Sequence, residues 1–215
     1  MTDAETFNEY TIAIPGLGRR FEPTKASTWF QARMRSEAED ARSMIRDAAT
    51  AAPKMPPIHF DWIENEEINA CAFPHRGKYF IGVNAGTSVY FHSLFSRLLS
   101  HPRILPHIGN AANEDESRVP PTPLRIGKGE LVASNFLPVI PKDPDRRYVY
   151  EYLNRTAFKF LIGHEITHLI HGHIAYIEDR LGHRGIRELG WKKGDPQPPL
   201  LRQTLEMDFM IASEN

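Results

Sequence analysis

The chain has 215 residues, with 26 basic and 27 acidic side chains, a net charge of -1 and a single cysteine. That balance removes the electrostatic case for nucleic acid or an anionic membrane surface as a partner. One cysteine excludes an intramolecular disulfide and any cysteine-rich zinc module.

The length suits one domain with a helical extension, residues 1–57 forming an N-terminal segment and 58–215 the main domain. Cys71, in the apolar run INACAFP, is expected to be a buried, inert thiol. The N-terminus has no basic-then-apolar leader pattern, and no apolar run approaches the ~18 residues of a membrane span, so a cytoplasmic protein is expected.

After a short irregular N-terminus, Ala26 to Thr50 reads as an amphipathic helix. Phe30, Met34, Ala38, Ala41, Ile45 and Ala48 recur at three- and four-residue steps, Thr24 or Ser27 can cap the start, and APKMPP ends it. The period then changes. IHFDW alternates as a half-buried strand, and INACAF and KYFIGVN follow as two more strands joined by a hairpin turn at PHRG. NAGTSVYFHSLFSRLLSH predicts a helix capped by Thr87 or Ser88, with Val89 or Phe91, Leu94, Phe95 and Leu98 inward. Residues 101–145 are proline-rich and polar and read as a long excursion with one short strand around Leu131–Val139. A helix begins near Arg146, and after the Gly/Pro-rich link LGWKKGDPQPP a last helix starts near Leu200.

Four of the ten histidines fall in the stretch HEITHLIHGH, residues 164–173. His164 and His168 lie four apart, about 400° of helical rotation, so both imidazoles share one face and can converge on a zinc ion at ~2.0–2.1 Å. Glu165 can reach the open side of that ion and take a proton from a water the metal has acidified. Phe158, Leu161, Ile162, Ile166, Leu169 and Ile170 make this a core helix, where two histidines and a glutamate are costly to bury without partners.

A third ligand is required. His171 shares the stripe but lies about 10.5 Å along the axis from His164, and His173 points away on a continuing helix; only a break at Gly172 would bring either one in. Glu178 sits in the charged stretch IEDRLGHRG. Glu206 is the favoured candidate: in LRQTLEMDFMIAS it and Asp208 stand among apolar residues, and a carboxylate there wants a cation. Asp208 is the alternative ligand, or an acceptor for the second nitrogen of a ligand histidine. His171, Tyr176 and His183 are candidates for stabilising an oxyanion.

These residues resemble the HExxHxxxGH signature of gluzincin metallopeptidases of the HtpX and CAAX prenyl endopeptidase type, with features similar to ImmA/IrrE-type peptidases. The resemblance covers about 30 residues of the active and last helices, and the first 140 carry no such likeness. It implies zinc held by His164, His168 and Glu206, Glu165 as catalytic base, and a peptide or protein substrate. The fold it implies is α+β and zincin-like, a small mostly antiparallel sheet packed on the helix that bears the motif. Met210 stands where the family pattern has an aspartate, and the chain stops soon after. Both departures favour the alternative, a catalytically impaired zinc-binding regulatory or interaction protein of the same fold.

Overall fold

The computed structural model describes residues 1–120 and 136–173 and the pair 186–187. In chain order these form helix α1 (Asp3–Ala13), helix α2 (Thr28–Ala51), strands β1 (Ile58–Ile63), β2 (Ala70–His75) and β3 (Lys78–Asn84), helix α3 (Ala85–Ser100), helix α4 (Pro144–Ile170) and a two-residue strand β4 (Ile186–Arg187). The architecture is α+β.

The N-terminus is helical, which corrects the expectation of an irregular segment. Thr2 and Glu5 make a reciprocal capping box: the Thr2 hydroxyl accepts from the Glu5 N–H at 3.2 Å, and the Glu5 carboxylate accepts from the Thr2 N–H at 2.7 Å. Two donors left open at the helix start are satisfied at once. Helix α2 starts at Ser27, whose hydroxyl accepts from the Phe30 N–H, and it ends just before Pro53, which cannot continue a helix.

The sheet order is β1-β3-β2-β4. β2 and β3 form the expected antiparallel hairpin, closed by Arg76 and Gly77 with φ of 49° and 75°. Two successive positive φ angles match the right-handed twist of the strands, and glycine supplies one of them without strain. β1 pairs with β3 in parallel, so the sheet is mixed, with β4 adding an antiparallel contact at Cys71 and Ala72. On the outer side of β1, residues 19–21 run alongside, the Phe21 N–H donating to the Trp62 carbonyl and the Glu64 N–H to the Arg19 carbonyl.

Both faces of the sheet are covered, so alternate residues of each strand enter different cores. On one face Phe7 and Tyr10 of α1 pack with Ile63, Cys71, Phe73 and Phe80. Gly82 permits this approach: a Cβ there would lie 2.6 Å from the Ile63 side chain and 3.1 Å from the Phe7 ring. On the other face Phe60, Trp62, Ala72, Ile81 and Val83 meet Phe30 and Met34 of α2 and Phe158, Ile162, Ile166 and Leu169 of α4. Each such large side chain contributes roughly 1.5–3 kcal/mol by leaving water.

Helix α3 departs from expectation in its cap and its face. It begins two to three residues before Thr87 and Ser88, both of which are buried. The Thr87 hydroxyl bridges the backbone of Asn69, and Ser88 donates to Glu37. The buried face carries Val89, His92, Ser93, Ser96, Leu99 and Ser100, whereas Phe91, Leu94, Phe95 and Leu98 are only half-buried. α3 packs against α4, where His92 is tied to Tyr150 at 2.9 Å. Burial pushes the Tyr150 phenol well above its ordinary value, so it stays protonated.

Helix α4 is anchored at its start by a buried polar knot. Asp143 caps it, accepting from the N–H groups of Asp145 and Arg146. The fully buried Arg146 guanidinium donates to the carbonyls of Leu99, His101, Ile104, Leu105 and Ile108. Glu114 accepts from the N–H groups of Lys142 and Asp143, and its carboxylate lies 4.0 Å from Arg146. The first part of the excursion is thus wound round one cation, with short 3-10 turns at Ala111–Asn113 and Glu116–Arg118. Residues 136–139 are not strand, contrary to expectation, and the rest of that stretch and the helix expected near Leu200 lie outside the described residues. Among the described residues no helix is long and apolar enough to cross a membrane.

Arg146→Met removes the donor for five carbonyls and leaves Glu114 buried beside an uncharged chain. We expect a loss of about 3–5 kcal/mol in a denaturant titration; a loss below ~1 kcal/mol would show that the excursion holds its shape without the guanidinium. At Asp143, burial opposes ionisation, but hydrogen bonds from Arg146, Asn110, Asn113 and Asp145 outweigh it and hold the carboxyl below its usual range. The stabilising effect is therefore full above the ordinary aspartate value of ~3.9 and is lost as pH falls through the lowered folded value. The stability gap between wild type and Asp143→Asn should be constant near neutrality and close in acid.

Candidate metal centre

The last turns of α4 carry the histidine motif, and their burial follows from spacing. Phe158, Ile162, Ile166 and Leu169 hold one side of the helix on the sheet and α2. Gly163 sits where α2 comes near, with Met44 3.4 Å from the position of an added Cβ. The helix therefore rests close to its neighbour at the turn where the motif begins. His164 is 8% exposed, His168 1% and Glu165 0%, so these three of the residues expected to carry the chemistry are inside.

His164 and His168 converge. Their Nε2 atoms are 3.0 Å apart and the rings lie nearly perpendicular, at 87°. Two bare nitrogen lone pairs at that distance repel, so a proton or another cation belongs between them. The separation is close to the edge of a tetrahedron whose centre is ~2.0–2.1 Å from each nitrogen. The two donors therefore fit a zinc ion in type, spacing and burial. Beside His164 the ring of Phe160 stacks at 6.5 Å and is 61% exposed, which puts an apolar surface at the outer side of the pair.

The helix ends where the sequence allowed a break. Ile170 is its last residue, the His171 N–H still donates to the Thr167 carbonyl at 3.0 Å, and Gly172 takes φ of 69°. This left-handed residue reverses the chain, a conformation glycine adopts at little cost. His171 is left exposed. His173 is turned back and buried, its Nδ1 2.9 Å from Nδ1 of His168. It meets His168 on the ring nitrogen away from His164, so the break does not make it a third donor beside the first two.

Glu206, Asp208, Glu178, Tyr176 and His183 lie outside the described residues. Among the described residues, no group of three or more histidine, cysteine, aspartate or glutamate side chains is placed to hold a metal ion. Comparison with protein-family models, with curated proteins and with solved structures yields no match.

A second buried polar group, not anticipated from sequence, lies toward the other end of α4. Glu37 accepts from Ser88 at 2.7 Å and stands 3.3 Å from Nε2 of His92, which is bonded to Tyr150. Around it Arg33 pairs with Glu151 and Arg155 with Asp40, each through two hydrogen bonds between α2 and α4, bordering a cavity of about 420 Å³. Both arginine–carboxylate pairs are partly exposed and are worth about 0.2–1 kcal/mol each. They set the register of α2 on α4 and lie at least 9 residues, about 13 Å along the axis, from His164. The helix period of α2 was legible, but which acids on it face a partner depended on where α3 and α4 pack.

Gly172→Ala places a Cβ in open space but strains a positive φ. We expect about 1–2 kcal/mol of destabilisation by denaturant titration, against less than about 0.5 kcal/mol for the exposed His171→Ala. Equal effects would show that the reversal at Gly172 is dispensable.

Proposed function

We propose that this chain is a zinc-dependent metallopeptidase of the gluzincin kind, with a zincin-like fold, hydrolysing peptide bonds in a peptide or protein substrate. The observation that supports the reading is the pair of buried Nε2 atoms 3.0 Å apart on α4, a gap that holds a proton or a metal cation. His164 and His168 would hold the zinc, and Glu206, in the apolar stretch LEMDFMI, would complete the protein ligands. When bound, zinc supplies Lewis acidity, lowering the pKa of water toward ~7 and polarising a carbonyl.

Glu165 is the base. It is adjacent to His164 in sequence and fully buried, a setting in which a carboxylate interacts strongly with nearby charge. It would accept a proton from the attacking water and return it to the leaving amine, so that one residue serves both halves of the reaction. α4 lies against β2, and among the described residues the outer side of β2 is paired only at Cys71 and Ala72. An extended peptide can bind such an edge by adding a strand. The exposed Phe160 beside His164 offers an apolar contact to a substrate side chain.

One feature supports the second reading, a zinc-binding protein of the same fold that no longer cleaves. Met210 occupies the position where the gluzincin pattern carries an aspartate, leaving Asp208 to support a ligand histidine.

The deciding measurement is metal content of untagged protein purified without chelators, followed by cleavage of a peptide library. We expect close to one zinc per chain, loss of that zinc in Glu206→Ala, and retention of it in Glu165→Gln with cleavage reduced about 10²–10⁴-fold. Glu165→Gln with full zinc and unchanged biological output would favour the regulatory reading. A chain that neither contains nor takes up zinc would overturn both.

A further inference from the structure

We propose that His173 is a positioning residue that fixes the tautomer and orientation of His168 for metal binding; this rests on the reading of His164 and His168 as metal ligands. The argument starts from proton accounting along three rings. Nδ1 of His173 lies 2.9 Å from Nδ1 of His168, and Nε2 of His168 lies 3.0 Å from Nε2 of His164. Neither distance suits two bare lone pairs, so each gap holds one proton or cation.

A neutral imidazole carries a single ring proton. If His168 keeps its proton on Nδ1, it donates to His173 and presents a bare Nε2 to His164. If His173 donates instead, the His168 proton moves to Nε2 and occupies the metal position. Metal on Nε2 is compatible only with the first arrangement. His173 then acts as acceptor and carries its own proton on Nε2. A ligand histidine ordinarily donates its other N–H to a carboxylate, carbonyl or water; here the acceptor is a third imidazole.

The backbone is built for this contact. On a continuing helix, residue 173 would sit about 140° round from residue 168 and could not reach its ring. The left-handed φ of 69° at Gly172 ends the helix and carries His173 back to the buried side, leaving it 4% exposed with its ring centroid 5.2 Å from that of His168. The intervening His171 is exposed. The helix leaves His171 outward, and the glycine after it sends His173 back against His168. The sequence spacing from His168 to Gly172 and His173 is what sets this geometry.

Two measurements on the full-length chain test it. In the zinc-loaded wild type, nitrogen-15 NMR of the imidazoles should show His168 protonated at Nδ1 and His173 bare at Nδ1; the reverse assignment overturns the proposal without any variant. Competition with a chromophoric chelator should then show His173→Ala binding one zinc about 10–100-fold more weakly than wild type. His173→Asn, whose amide oxygen can still accept from Nδ1, should recover most of that loss. The visible spectrum of the cobalt-substituted protein should shift in the alanine variant and return in the asparagine variant. An alanine variant with wild-type affinity overturns the proposal, as does loss of metal stoichiometry in both variants, which would make His173 itself a ligand. A wild-type chain that binds no zinc fails at the earlier step, the metal reading itself, and is distinguished by that.

Discussion

Helix α4 is the member against which α2, α3 and one face of the sheet are packed, and the buried Arg146 at its foot fixes where it begins. Five carbonyls from the end of α3 and the loop after it converge on one guanidinium, and Asp143 and Glu114 close the knot from the helix cap. A planar cation with five donors suits this task, because it satisfies a loop whose carbonyls would otherwise be buried without partners. The helix it anchors rises for 27 residues, about 40 Å. The motif lies near the far end, so an error in its starting angle would be carried through the whole length.

Between those ends α4 changes partners. Its first half is held by charged and polar groups of α2 and α3, its second half by the aromatic and aliphatic face of the sheet. Phe158 marks the change, packing 5.6 Å from Trp62 and 6.2 Å from Phe60. Polar contacts are directional and set register; apolar contacts resist separation but tolerate sliding. With register set at one end and burial at the other, the histidines are delivered to a site that neither set of contacts could define alone.

The parts legible in sequence were those governed by a local period. The histidine pair on one helix face, the hairpin at Arg76–Gly77 and the course of α2 follow from residue spacing and turn chemistry. The parts that were not legible depended on a partner. The apolar residues of α3 suggested one face, yet small and polar residues occupy the interior, because Glu37 and Tyr150 offer hydrogen-bond partners to Ser88 and His92 there. The strongest local signal overlooked was the capping box at Thr2 and Glu5, which was available from four residues. His173 was expected to point away unless the helix broke at Gly172; the break occurs and turns it back onto His168, at the nitrogen away from His164.

That reversal changes what the motif consists of. The two-ligand pattern specifies donors but not their protonation, and a neutral histidine can bind a cation through only one of its nitrogens. On the proposed reading the choice is made within the same ten residues, by a glycine that ends the helix and a histidine that returns to His168. Burial makes that choice more consequential, since water cannot easily substitute for the missing acceptor. The segment from His164 to His173 is therefore a structural unit in its own right: a helix turn that pairs two nitrogens, and a reversal that directs one of them.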